Sequence, residues 1–90
     1  MKTIKLTLHG RVQGIGFRWH AQRLAERHGV KGYVQNRSDG TVEIVGQGRE
    51  LPSFVEAVRQ GPSHAHIETV EETATDEEEY PDFSIHHRNF

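Results

Sequence analysis

The sequence predicts an α+β sandwich in which two helices cover one face of an antiparallel sheet. Three observations carry this prediction: polar–apolar alternation near the N-terminus, two segments with helical apolar spacing, and a strong hairpin signal between them. The predicted elements follow the order β-α-β-β-α-β, with a short strand added at the C-terminus. Because right-handed crossovers place both helices on the same side of a sheet, this order indicates a ferredoxin-like fold. We expect a single domain over residues 1–90, since a chain of this length buries one modest core.

The first strand and the first helix follow from their apolar spacing. Residues Thr3–His9 alternate polar and apolar side chains, as a half-buried strand does. From Phe17 to His28 the apolar positions recur at intervals of four, three and one, which forms one stripe along a helix. Gly29 directly follows this stripe and predicts the end of the helix, because glycine readily adopts the left-handed conformation of a C-terminal cap.

A hairpin and a second helix follow. Residues Val30–Arg37 and Thr41–Gly48 are predicted strands, and the turn between them is Ser38-Asp39-Gly40. Residues Glu50–Gln60 carry a second helical apolar stripe, and Pro52 is compatible with its first turn. The two strands therefore form an antiparallel pair, and the chain then crosses back over the sheet.

The C-terminal third of the chain is less regular. Ile67 and Val70 are assigned to a fourth strand, and their spacing of three indicates a bulge or a bend. Residues Thr73–Pro81 are rich in acids and are predicted as a loop. Residues Asp82–His87 are predicted as a short last strand.

The connection between the first strand and the first helix is the candidate functional site. Residues 10–18 read Gly-Arg-Val-Gln-Gly-Ile-Gly-Phe-Arg, with no acid and no side chain that can cap a helix. A helix start leaves about four N–H groups without intrahelical partners. Such donors, together with the positive end of the helix dipole, form an anion-binding site. Arg18 stands at the mouth of this site, and its planar guanidinium suits phosphate.

A distant residue, Asn36, is predicted to lie at the level of this loop. The first helix runs about 16 Å away from the loop, and the following strand returns about 20 Å. We therefore expect the Asn36 amide at the same end of the sheet, where it could hold a water beside an anion bound by Arg18. The alternative is that Asn36 only opens the turn at residues 38–40.

Composition and charge narrow the function. The chain has no cysteine, which excludes disulfides, thiolate chemistry and zinc fingers. Residues 1–9 contain no continuous apolar run, so we expect no secretory signal, no membrane association and a cytoplasmic location. The net charge of −2 argues against nucleic-acid binding. Residues 1–37 carry +7 and residues 38–90 carry −9. We favour the interpretation that the acids form a solvated face and a loop; the alternative is that the asymmetry focuses a positive field near the loop and attracts a small anion.

In these residues the chain resembles the acylphosphatase family. The resemblance rests on the loop at residues 10–18, on Gly32–Asn36, on Asp39–Glu43, and on Gly61-Pro62, all in the family's order. It implies hydrolysis of a small acyl phosphate to a carboxylate and inorganic phosphate. It also covers the first domain of larger carbamoyl-phosphate-using hydrogenase maturation proteins, and a chain of one domain favours the free enzyme, which we expect to be a monomer.

The resemblance also implies which residues act. Arg18 and the loop N–H groups would bind the phosphoryl group, and with it inorganic phosphate or sulfate as ligands. Asn36 would orient the attacking water. The loop residues whose backbone N–H groups are implied are Gln13, Gly14, Ile15, Gly16, Phe17 and Arg18.

Three other interpretations stay open at this point. Seven histidines suggest a metal site, but neither His64 with His66 nor the His86-His87 pair is completed by an acid at ligand spacing, so we expect no metal and no cofactor. A phosphate-sensing domain without turnover would need the same loop. An RNA-binding module of the same fold would need stacking aromatics, and Tyr33 is the single candidate.

Trp19 is a separate question, because it follows Arg18 directly but lies off the apolar stripe of the first helix. It either packs against the protein or contacts the substrate at the rim of the site. We favour packing.

Overall fold

The computed structural model describes residues 2–75 and 79–86 and confirms the predicted fold class. The first helix begins and ends at the predicted residues, and Gly29 caps it with φ 65° in the left-handed region. No helix among the described residues is long and apolar enough to cross a membrane. In chain order the elements are β1 (Thr3–Arg11), α1 (Phe17–His28), β2 (Lys31–Asn36), β3 (Val42–Gln47), α2 (Leu51–Gln60), β4 (His66–Thr75) and β5 (Phe83–His86).

The five strands form one sheet in the order β4-β1-β3-β2-β5. The β1–β3, β1–β4 and β2–β3 pairs are antiparallel, but β2 and β5 are parallel. The four strands of the β-α-β-β-α-β core are therefore antiparallel, as predicted, and the added C-terminal strand makes the sheet mixed. The reason is geometric. β4 ends at the same end of the sheet at which β1 and β2 begin. Because β5 follows β4 and lies at the opposite edge, it starts from that end and runs parallel to β2.

The fourth strand is longer than predicted. It continues through Thr75, so residues 73–75 belong to a strand and not to a loop. Ala74 pairs with Ile4 and Thr75 with Thr3, so pairing with β1 extends the strand through residues 73–75, which contain no acid and precede the acidic run. The rest of the predicted acidic run at residues 76–78, and His87 of the predicted last strand, lie outside the described residues.

The predicted bulge in β4 is confirmed. His9 of β1 pairs with Thr69, but the next residue, Gly10, pairs with Ile67, so that Glu68 is an extra residue on β4. The shift explains why two partly buried residues, Ile67 and Val70, are three positions apart and still both pack against the core.

The core lies between the sheet and the two helices and holds both ends of the loop in place. Val12 at the end of β1 is 1% exposed, and Phe17 at the start of α1 is 2% exposed. The loop between them is therefore short and fixed at each end by burial. The other fully buried large side chains are Phe54, Leu6, Leu8, Ile44, Val34, Val42, Val45 and Val58.

Gly32 allows β2 to lie close to β3, and its replacement tests the packing of the sheet. Its φ is 138°, and a Cβ at this position would lie 1.9 Å from the Val45 carbonyl oxygen. We expect Gly32→Ala to lower the free energy of unfolding by about 3 kcal/mol, from backbone strain and from the clash. Gly40→Ala is the control, because Gly40 has φ 92° but open space around it. Equal losses in urea denaturation of the two variants would contradict the close approach of the strands.

Candidate functional site

The loop that joins β1 to α1 begins the helix without a side-chain cap, as predicted. Gly16 is the N-cap residue, with φ 79° and ψ 17° in the left-handed region, and no side chain bonds to the helix start. The first turn contains no acid. The first backbone bond of the helix is donated by the His20 N–H to the Gly16 carbonyl at 3.0 Å. The N–H groups that precede His20 therefore depend on partners outside the helix.

These loop amides are available to a ligand. Among residues 2–75 and 79–86, the N–H groups of residues 13–17 donate to no protein acceptor. Gly14 and Gly16 both have positive φ, 75° and 79°. Left-handed residues alternating with others produce the concave run of amides that binds anions. The loop thus offers several donors and a helix N-terminus at one place.

A cavity of about 70 Å³ brings most of the predicted site residues together, but Gln13 and Ile15 are not among its lining residues. Arg18 and Asn36 both line it, although they are eighteen positions apart in the sequence. One water needs roughly 10–15 Å³ on the same scale, so the cavity has room for more than a single water. Its lining consists of Val12, Gly14, Gly16, Phe17, Arg18, Trp19 and Asn36.

Asn36 lines this cavity and has a buried side-chain acceptor. It is the last residue of β2, opposite Val42 on β3. Its side-chain Oδ1 is buried and has no hydrogen-bond partner within the described part of the chain. A buried carbonyl left without a partner costs about 1–3 kcal/mol. We therefore expect a molecule in the cavity to donate a hydrogen bond to this atom.

The turn after Asn36 is made by other groups. The Asp39 carboxylate accepts hydrogen bonds from the Thr41 hydroxyl at 2.6 Å and from the Thr41 N–H at 3.0 Å. The hydroxyl bond, followed by the N–H bond, lowers the pKa of Asp39. The Arg37 N–H donates to the Thr41 carbonyl at 2.9 Å. Because the turn is closed without the Asn36 side chain, the geometry favours the site interpretation of Asn36 over the turn interpretation.

Arg18 connects the cavity to the C-terminal strand. Its Nη1 donates to the His86 main-chain carbonyl at 3.5 Å, the outer limit of a hydrogen bond. The His86 ring in turn stacks on Tyr33, with centroids 4.4 Å apart and planes at 7°. The end of β5 therefore lies against the guanidinium, a contact that the sequence analysis does not predict.

The comparison with known families agrees with this arrangement. The family model described as Acylphosphatase matches residues 4–85. The chain belongs to the acylphosphatase family. A curated acylphosphatase from Lactobacillus gasseri is 43% identical over 89 residues, which cover 94% of this chain and 98% of that protein.

Solved acylphosphatase structures have the same fold. The acylphosphatase from Bacillus subtilis superposes with a TM-score of 0.89 at 40% identity, covering 94% of this chain and 98% of that one. The acylphosphatase from Coxiella burnetii gives a TM-score of 0.89 at 32% identity, covering 94% and 92%.

The side chain of Gln13 has a structural connection that the sequence analysis misses. Its Nε2 donates to the main-chain carbonyls of Arg37 and Thr41, both at 2.8 Å. These partners are 24 and 28 positions away, so local sequence patterns give no signal for them. In this acylphosphatase-family chain the Gln13 amide ties the phosphate-binding candidate loop to the turn that follows Asn36.

We expect Gln13→Glu to loosen this connection, because a carboxylate would face two carbonyl oxygens. Turnover of an acyl phosphate should fall about tenfold or more, since small displacements of positioned groups are costly. Unfolding stability should fall by about 1–3 kcal/mol. The matched control is Gln35→Glu, which breaks the bond from Gln35 Nε2 to Glu43. If Gln35→Glu lowers stability and turnover to the same degree, the effect of Gln13 is general destabilisation.

Trp19 does not pack in the interior, so the packing interpretation is wrong. Its side chain is 69% exposed, and it lies at the edge of the cavity beside Arg18. The buried face of α1 is formed by Phe17, Ala21, Leu24 and Ala25, which leaves Trp19 on the side away from the core.

None of the histidines in the described part of the chain lines this cavity. His20 packs edge-on against Phe17, with ring centroids 6.1 Å apart, and its buried Nε2 has no partner in the described chain. Burial, followed by the charges of Arg23 and Arg27, lowers the pKa of His20. The described residues contain no group of three or more metal-ligating side chains.

A larger cavity of about 730 Å³ lies at the other end of the sheet. Its lining includes Lys2 and Ile4 at the start of β1, and Arg49 after β3. Glu72 places an acid beside these cations. The mixed charge and the distance from the loop separate this cavity from the anion site, and we assign the chemistry to the smaller one.

Proposed function

We propose that the chain hydrolyses acyl phosphates to a carboxylate and inorganic phosphate, as a monomer and without metal or cofactor. The observation that carries the proposal is one cavity that combines loop amides, a guanidinium and the unpartnered Oδ1 of Asn36. Membership of the acylphosphatase family supports it, because relatives of nearly equal length bear that name.

The loop and Arg18 take the phosphoryl group in this proposal. Phosphoryl transfer is mainly positioning and stabilisation of charge on the phosphoryl oxygens. The backbone N–H groups of residues 13–18 and the Arg18 guanidinium supply preorganised donors for those oxygens. The leaving carboxylate needs no general acid, because the pKa of its conjugate acid is about 4–5.

Asn36 positions the nucleophile. A water that donates one hydrogen bond to Asn36 Oδ1 has its lone pair directed at the phosphorus. Its oxygen forms a new P–O bond, the bond from phosphorus to the acyl oxygen breaks, and the carboxylate leaves with that electron pair. The water proton passes to a non-bridging oxygen of the substrate's own phosphate. No histidine is needed for this step, and His20 lies outside the cavity lining.

The test compares two substrates that share the transferred phosphoryl group and differ in the leaving group, a carboxylate in one and a phenolate in the other. Benzoyl phosphate and p-nitrophenyl phosphate are incubated with the chain, and inorganic phosphate release is measured with and without excess chelator. We expect the acyl phosphate to be preferred by at least a hundredfold, with no loss in chelator. A preference for the ester would overturn the substrate class, and binding of benzoyl phosphate without hydrolysis would identify a phosphate-sensing domain.

The RNA-binding alternative gains no support. Its candidate stacking residue, Tyr33, already stacks on His86 and packs edge-on against Tyr80. Single-stranded RNA recognition needs aromatic faces that are open to bases.

A further inference from the structure

Trp19 is an exposed aromatic side chain at the edge of the anion cavity. Its exposed fraction of 69% makes it the one large hydrophobic side chain of residues 2–75 and 79–86 that is mainly in water. It lines the same cavity as Arg18 and Asn36. A tryptophan carries about 150–250 Å² of surface that is favourable to bury. A residue of this kind beside a polar cavity can pack against an apolar group of a ligand that extends out of the cavity.

An acyl phosphate has such a group. Its phosphoryl end lies against the loop donors and Arg18 inside the small cavity of about 70 Å³. The acyl end must then extend out past the rim. Among the lining side chains Trp19 is the exposed one, whereas Arg18 and Asn36 are half-buried and the glycines of the loop contribute none. The surface that an acyl substituent meets is therefore largely indole.

We propose that Trp19 is a specificity-determining residue that makes the chain prefer acyl phosphates with an aromatic acyl group over acetyl phosphate. This inference rests on the proposed function and refines its substrate class. An aryl ring gains offset-stacked or edge-to-face contact with the indole, whereas a methyl group is too short to reach it. The specificity acts on the acyl group, because the phosphoryl group is held by the loop and Arg18.

The contact has a defined kinetic signature. The acyl substituent is remote from the breaking bond, so the indole contacts it equally in the ground state and in the transition state. Uniform binding of this kind changes KM and leaves kcat unaltered. A role in supporting the loop would instead change kcat for every acyl phosphate.

The test is Trp19→Ala assayed with benzoyl phosphate and with acetyl phosphate. We expect KM for benzoyl phosphate to rise about fivefold, which is the effect of one aromatic contact. The kcat for both substrates and KM for acetyl phosphate should stay within twofold of the wild type. Trp19→Phe should restore most of the preference, because it keeps an aromatic face at the same position.

The results separate this inference from the proposed function. If the wild type hydrolyses neither substrate, the proposed function fails. If it hydrolyses both and Trp19→Ala leaves the ratio of kcat/KM values unchanged, the role of Trp19 fails while the function stands. A parallel loss for both substrates would also overturn the specificity role, because it would assign Trp19 to the support of the loop.

Fluorescence gives a binding test that does not need turnover. Trp19 is the single tryptophan of the chain, so its emission reports this position alone. The probe is benzoylmethylphosphonate, in which CH₂ replaces the bridging oxygen, and acetonylphosphonate is its methyl counterpart. We expect the benzoyl compound to shift or quench the emission, and saturating acetonylphosphonate or inorganic phosphate to do so much less. Equal responses to all three would overturn the ring contact.

Discussion

Replacing Arg18 with alanine is expected to reduce kcat/KM for benzoyl phosphate by about 10³-fold or more. The guanidinium lines the cavity and is a side-chain cation at its mouth. Arginines that stabilise the charge of a transferring phosphoryl group contribute about 10³–10⁵ in rate. The inhibition constant of inorganic phosphate should rise as well, because phosphate uses the same donors. Steady-state kinetics with phosphate as a competitive inhibitor measure both effects.

Two further variants make this prediction specific. Arg23→Ala removes the same charge from an exposed position on the same helix and should leave kcat/KM within about twofold. Arg18→Lys keeps the charge but loses the planar fork, so it should recover only part of the activity. If Arg23→Ala lowers activity as much as Arg18→Ala, the effect comes from the general positive field and not from a contact.

Much of the site follows from local sequence rules. The stripe that begins at Phe17 and ends before Gly29 sets both ends of α1, and the glycine-rich loop without capping side chains sets its uncapped start. The axial rise per residue along α1 and β2 places Asn36 at the level of the loop. In the structure Asn36 and Arg18 line the same cavity. This placement succeeds because both elements are regular and nearly equal in length.

The features that escape sequence analysis depend on contacts between distant segments. The two hydrogen bonds of the Gln13 side chain join the loop to main-chain carbonyls, which every residue has, so no side-chain pattern marks them. β4 lies at an edge of the sheet and is largely exposed, so acidic side chains are compatible with its pairing to β1. Acidic residues therefore do not mark the end of this strand in the sequence. The direction of β5 depends on where β4 ends, which is a property of the whole sheet.

Replacing Asn36 with alanine is expected to separate catalysis from binding. We expect kcat for benzoyl phosphate to fall about 10²–10³-fold, because the attacking water loses its fixed position. The inhibition constant of inorganic phosphate should stay within about twofold, since the loop donors and Arg18 are retained. Equal losses of kcat and of phosphate binding would show that Asn36 holds the phosphoryl group and not the water.

Stability gives the same substitution a second, independent readout. The Oδ1 of Asn36 is buried and has no partner among residues 2–75 and 79–86, so its removal should leave the free energy of unfolding unchanged or raise it by about 1 kcal/mol. Gln47→Ala is the matched control, because Gln47 is a buried amide on β3 whose Nε2 donates to the Thr3 hydroxyl at 2.9 Å. The free energy of unfolding of Gln47→Ala should fall by about 1–3 kcal/mol, and its kcat should stay unchanged. A residue whose substitution lowers kcat but not stability acts in the reaction. A residue whose substitution lowers stability but not kcat acts in the fold. If Asn36→Ala unfolds as easily as Gln47→Ala, Asn36 belongs to the second class.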